Sequence, residues 1–178
     1  MTYPVTLAAS FRTTADQLEL DYVVSNGSRE PVFLIDVSIR VTAEGVAVEP
    51  GAPRVELAGN SVVLLRSALR PIPPNVTYAV PPQAYATRLE PGGTIRRSLR
   101  LPLPLAPAGL PPKREPKQAV FERVTFLLGV VPSSAVPGVQ RQEIGGTEVW
   151  LLPVDAVDHQ VELRAEARVA NLRVLVER

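Results

Sequence analysis

Apolar and polar positions alternate along most of this chain with a period of two. Val5, Leu7, Ala9 and Phe11 alternate with Thr6, Ala8, Ser10 and Arg12. Leu18, Leu20, Tyr22 and Val24 alternate with Gln17, Glu19 and Asp21. In 31–41, Phe33, Ile35, Val37, Ile39 and Val41 share one face and Asp36, Ser38 and Arg40 the other. Side chains of a strand point alternately to its two faces, so each segment predicts a half-buried strand. Between the second and third lies SNGSRE, where Asn26-Gly27 supplies the residues that tight turns favour, so these two strands are expected to pair as an antiparallel hairpin.

Turns at EPGAP (49–53) and LEPGGT (89–94) frame strands at 54–58 and 61–67 and a further one in TIRRSLRLPL. There Ile95, Leu99, Leu101 and Leu103 form an inward set, and Arg96, Ser98 and Arg100 an outward one. Pro102 and Pro104 have no N–H for a ladder, so this end belongs to a sheet edge or leaves the sheet as polyproline II. The run AVFERVTFLLGVV (119–131) is apolar at Val120, Val124, Phe126, Leu128 and Val130, with Leu127 and Val131 adding bulk opposite, the pattern of a central strand. The turn-rich 132–146 leads to a strand in TEVWLLPV.

The C-terminal HQVELRAEARVANLRVLVER tests the period. A helix would stack Glu162 over Glu166 and Arg164 over Arg168, like charges that disfavour it. On a strand they form one mixed, solvated face. The apolar phase flips after Val169, to Leu172, Val174 and Val176, so a turn or bulge at Ala170-Asn171 and two strands are expected.

About nine short strands in total, with hardly a helix, imply an all-β fold, an antiparallel β-sandwich forming one domain over 1–178. Two long proline-rich loops, 70–83 and 102–117, cross its ends, and twelve of the 19 prolines fall between 71 and 116. Two stretches, LELDYVVSNGSREPVFLIDVSI and LEPGGTIRRSLRLPL, about a fifth of the chain, resemble immunoglobulin-like modules of bacterial type. The resemblance implies such a sandwich with a non-catalytic binding or scaffolding role. It transfers no site residue, and the family's Cys and core-Trp spacing is absent.

Composition narrows the chemistry. Of the 19 basic residues only Lys113 and Lys117 are lysine, a bias that suits bidentate anion recognition or, more simply, reflects codon usage in a GC-rich genome. These cations are spread along the chain at a net charge of +1, so no nucleic-acid footprint is expected. With no cysteine, disulfides, thiolate metal sites and thiol nucleophiles are excluded. No signal peptide and no long apolar run are visible, so a cytoplasmic protein without membrane insertion is expected.

Candidate sites are few. His159 stands near Asp155 and Asp158, but one histidine with two carboxylates makes a poor zinc site, so no metal and no cofactor are expected. VPSSAVPG holds Ser133 and Ser134 without a G-x-S-x-G elbow, so a serine-type hydrolase using either with His159 is the weakest reading and no catalytic residue is assigned. Asn26 and Asn75 head sequons that matter only in a glycosylating pathway, and Arg96, Arg97 and Arg100 offer phosphate contacts or, for Arg96 and Arg100, guard an edge. In PIPPNVTYAVPPQAY, Tyr78 and Tyr85 lie on a stiff connection of about twenty residues. Together with Trp150 they are the candidate ligand-binding residues, for a small sugar or peptide, against the plainer role of pinning the loop. The second loop has a PxxP spacing at Pro104 and Pro107 that suits an aromatic groove, though a solvated linker is the simpler expectation. The preferred reading is a non-catalytic interaction or scaffolding domain with a protein partner or self-association. A carbohydrate- or peptide-binding module is the alternative.

Overall fold

The computed structural model describes residues 4–43, 45–59, 62–70, 84–108 and 116–176, and these form a mostly β structure. The described residues contain twelve strands: β1 (Val5–Thr13), β2 (Gln17–Asn26), β3 (Val32–Thr42), β4 (Gly45–Pro50), β5 (Arg54–Ala58), β6 (Val62–Ser67), β7 (Ala84–Leu89), β8 (Thr94–Pro102), β9 (Lys117–Pro132), β10 (Gln140–Ile144), β11 (Thr147–Leu152) and β12 (Val161–Val176). The alternation located most of them. It missed β4, β7 and β10, which are short and carry a proline, lie beside the proline-rich segment, or have no strong apolar period.

The strands form two sheets. The smaller has the order β1-β2-β8. The larger runs β10-β11-β7-β3-β9-β6-β5, with β12 also on β9 and β4 on β3. Val130 pairs with both Val161 of β12 and Leu34 of β3, so these partners occupy opposite edges of β9. The edge opposite β12 is therefore shared, by β6 alongside 123–128 and then β3 alongside 130–132. The β6–β9 pairing is parallel, so the larger sheet is mixed rather than purely antiparallel.

Between the sheets lies one apolar core drawn from the whole length of the chain. Leu18, Leu20, Tyr22 and Val24 of β2 meet Val124, Phe126, Leu128 and Val130 of β9 in it. The Tyr22 and Phe126 rings are 4.9 Å apart, which places β2 over β9. A second, smaller core on the far face of the larger sheet gathers Phe33, Ala86, Val131 and Leu152 beneath Val136 and Ala156. These last two belong to coverings at either end of the β10–β11 hairpin: Val136 follows the 3₁₀ turn Ser133–Ala135, and Ala156 lies within the turn Val154–His159.

Several expectations are corrected. β2 and β3 do not form a hairpin, since β2 pairs with β1 and β8 while β3 belongs to the other sheet. The Asn26 side chain explains why. Its amide donates to the carbonyls of Glu30 and Leu89 at 2.9 and 3.0 Å, and its oxygen accepts from the Ser28 N–H and hydroxyl. It is thus a fully satisfied buried plug, tying the crossing 27–31 to the turn before β8. Gly27 is needed for close approach: a Cβ there would stand 2.8 Å from the Pro4 carbonyl oxygen.

Tyr85 lies on β7, not on a loop, and most of the first proline-rich segment falls outside the described residues. The second segment is no free linker over its described part. Leu105 is buried in the main core, donates its N–H to the Arg173 carbonyl and accepts from Leu175 N–H, and Ala108 N–H bonds Val55. Residues 103–108 are a strap between β12 and β5.

At its C-terminus the chain forms one continuous strand, with a bulge between Arg168 and Leu172 where Asn171 has φ of 57°. Asn is among the few residues that reach this left-handed region easily. β9 slips phase opposite the bulge, so Phe121 turns inward and Val120, expected inside, is 62% exposed.

The strap yields a test. Leu105→Ala should lower unfolding free energy by about 2–5 kcal/mol, as for buried leucines generally. Pro107→Ala, in the same segment, should change it by less than about 0.5 kcal/mol. Equal, small effects in urea melts would return the segment to a linker.

Candidate functional site

Of the sequence-predicted ligand residues, Tyr85 and Trp150 are described, and they are not brought together. Tyr78 lies outside the described residues. Trp150 pairs with Ala86 across β11 and β7, and Tyr85 pairs with Leu151, so by alternation Trp150 and Tyr85 stand on opposite faces of the larger sheet. Trp150 packs on the second core, its ring 5.6 Å from Phe33, and the Arg88 guanidinium lies 5.1 Å from its centroid. That cation–π contact occupies a ring face that a sugar would need. The two rings cannot stack on one ligand.

The serines and the histidine are also separately placed. Ser133 hydroxyl donates to Glu30 at 3.1 Å and Ser134 N–H donates to the same oxygen at 2.7 Å. The Ser134 backbone N–H, followed by the serine side chains, holds the Glu30 carboxyl below its ordinary range. The carboxylate therefore anchors the 3₁₀ turn. His159 is exposed at the end of the turn Val154–His159, with Asp155 and Asp158 also exposed. Among the described residues no group of three metal-ligating side chains converges.

Sequence reasoning missed the most unusual polar cluster, which lies between the sheets. Asp36, placed on a solvent face by the alternation, is buried with its side chain 1% exposed. β3 is buried on both faces, Val32 and Leu34 toward the main core and Phe33 and Ile35 toward the second, so Asp36, in phase with Leu34, points between the sheets. One carboxylate oxygen accepts from Thr87 hydroxyl at 2.6 Å and the other from Arg97 Nε at 3.1 Å, while Arg97 also donates to Thr87 at 3.3 Å. Arg97 sits on β8 between Ile95 and Leu99, on the face directed at the core. Its parity was the available signal: it is the one charge among four apolar positions. Burial raises the Asp36 carboxyl above its ordinary range, the Thr87 bond and Arg97 opposing it. Tyr22, cross-strand from Arg97, is likewise pushed up, by burial first and then by Asp36.

The fold also gathers arginines that sequence order scatters. On the outer face of β5, β6 and β12, Arg54, Arg66 and Arg70 surround Glu56, Arg66 also meets Glu162, and Arg164 pairs with Glu166. One Glu56 oxygen has no hydrogen bond although Arg54 and Arg70 approach it to 3.4 Å, a Coulombic rather than a bonded contact. The smaller sheet spends its outward cations unevenly. Arg12 binds Glu19 at 2.8 Å, whereas Arg96 and Arg100 make no ion pair among the described residues.

Comparison with protein-family models, curated proteins and solved structures returns no match. Among the described residues no helix is long and apolar enough to cross a membrane.

The buried pair makes two predictions. Arg97→Met strands Asp36 and should cost about 3–5 kcal/mol, whereas adding Asp36→Leu should restore much of that, since both charges are then gone. Additive losses in a double-mutant cycle would refute the coupling. In Arg97→Met alone, the folded Asp36 carboxyl lies above its unfolded value and binds protons more readily than the unfolded chain. Stability relative to the parent should therefore recover as pH falls from neutral toward 4 and decline again as pH rises. Thermal melts across that range check the sign.

Proposed function

We propose that the chain is a non-catalytic protein-interaction or scaffolding domain, a single immunoglobulin-like β-sandwich that offers surfaces rather than a reaction centre. What supports this reading is how its polar side chains are used. Asp36, Thr87 and Arg97 join the sheets, Glu30 secures a turn, and Asn26 closes a crossing. Each is committed to architecture.

The observation that carries the proposal is exposed apolar surface near the end of the β3–β4 hairpin. Val41 and Val46 face each other across the β3–β4 hairpin, 80% and 45% exposed. A cross-strand valine pair in water is a small sticky tip, of the kind that contributes to an interface core. Self-association or capture of a protein partner is the role assigned to it.

Val41→Asp combined with Val46→Asp should shift a concentration-dependent oligomer toward monomer, or weaken partner binding at least tenfold, with the melting temperature changed by only a few degrees. Sedimentation velocity across a hundredfold concentration range measures the first. A parent chain that is monomeric throughout and binds no partner would remove the proposal.

A further inference from the structure

We infer that the free edge of β8 is a strand-addition site for an extended acidic peptide segment of a partner protein. The inference rests on the interaction-domain reading and names a second surface and its partner's chemistry. β8 closes the smaller sheet: it pairs with β2 along its whole length, Thr94 to Pro102, and with no other strand among the described residues. The opposite end of that sheet is not equivalent. β1 is tied to β12, through Thr13 hydroxyl to the Ala170 carbonyl and Arg173 to the Ala15 carbonyl. Growth of this sheet is thus directed to β8, where an incoming strand finds backbone groups that have no ladder partner among the described residues.

The charges on β8 select the occupant. Arg96 and Arg100 face outward and are exposed, and lie about 13–14 Å apart at the usual rise per residue. Neither makes an ion pair among the described residues. The cross-strand neighbour of Arg100 is Glu19, already engaged by Arg12, and that of Arg96 is Val23. Between them Ser98 donates to Asp21, on the β2 side of the strand. A shallow hollow of about 480 Å³ beside Arg96, bounded by Ala8, Ser10, Asp21, Val23 and Ser98, leaves room for a long side chain laid across the strand. An added strand with Glu at positions i and i+4 would set one carboxylate opposite each arginine, and opposite charges across a ladder attract.

A second copy fits poorly. Antiparallel pairing of β8 with itself about Ser98 sets Arg96 against Arg100, and about Arg97 it sets two inward arginines together. Like charges directly opposite repel. Arg97, turned inward and held by Asp36, further discourages unselective edge pairing.

The test uses the full chain and two labelled nine-residue peptides, TVEVTVEVT and its counterpart with Lys at both Glu positions, read by fluorescence anisotropy. The Glu peptide should bind at least tenfold more tightly than the Lys peptide and weaken in high salt. Arg96→Glu with Arg100→Glu should invert that preference, circular dichroism showing an unchanged fold. Equal binding of the two peptides, no binding of the Glu peptide, or indifference to the double substitution would overturn the inference. So would a polyphosphate that displaces the Glu peptide equally well, or a β8-mediated homodimer abolished by the same substitutions. Loss of self-association in the Val41/Val46 variant with peptide binding intact, or the reverse, separates this edge from the hairpin tip.

Discussion

The contact between Asp36 and Arg97 fixes how the two sheets sit on each other. Apolar layers alone attract without direction, and Leu, Val and Ile faces tolerate sliding. A single guanidinium reaching from β8 into the other sheet, to a carboxylate and a threonine hydroxyl 2.6–3.3 Å from their partners, allows one register. Taking both ions from water is expensive, so the pair contributes specificity more than net stability. Tyr22 beside it places its ring on Phe126, so polar and aromatic contacts fix the same alignment from two strands.

From that alignment the rest follows in order. With β8 over β3 and β7, and β2 over β9, the edge of β1 falls beside β12. There the bulge at Asn171 presents the Ala170 carbonyl to Thr13. The same bulge exchanges the faces of β12, turning Leu172 and Val174 into the core, where Leu105 of the strap meets them. Gly129 lets β9 pass close to its neighbours. A Cβ there would lie 2.6 Å from Gln160 Oε1 and 2.8 Å from Ile35, and Gln160 in turn bonds both backbone groups of Leu69 beyond the end of β6.

Local alternation made the strands legible, because burial of one face is a property of each segment alone. The C-terminal charges were decisive in the same way: on one strand face Glu162 reaches Arg66 laterally and Glu166 pairs with Arg164 along β12, instead of stacking on each other. Partners were not legible. Asn26-Gly27 looks like a hairpin turn until its amide is seen to bond Leu89, sixty-three residues away. Asp36 was misplaced because β3 is buried on both faces: the regular set Phe33 and Ile35 meets the second core, which leaves Val32, Leu34 and Asp36 directed at the main one. Arg97 was half legible. Its parity put it inside, but nothing in the local pattern named Asp36 as its partner. The candidate rings of Tyr85 and Trp150 failed for a related reason, since a one-residue offset between paired strands decides which face each occupies.

The same offset governs what β8 can offer outside. Inward and outward arginines on it differ by one position, Arg97 against Arg96, yet their energetics are opposite. Arg97 exchanges water for a carboxylate and a hydroxyl and is held in place. Arg96 and Arg100 remain hydrated, so an incoming carboxylate gains attraction while losing little solvation from a group that stays at the rim. Such contacts contribute selectivity and association rate more than affinity. The affinity of an added strand must come from the backbone ladder, which any extended segment could supply. An edge with unsatisfied outward cations beside a neutralised inward one is therefore open to strands in general but biased by charge toward one class. That combination distinguishes a recognition edge from an aggregation hazard.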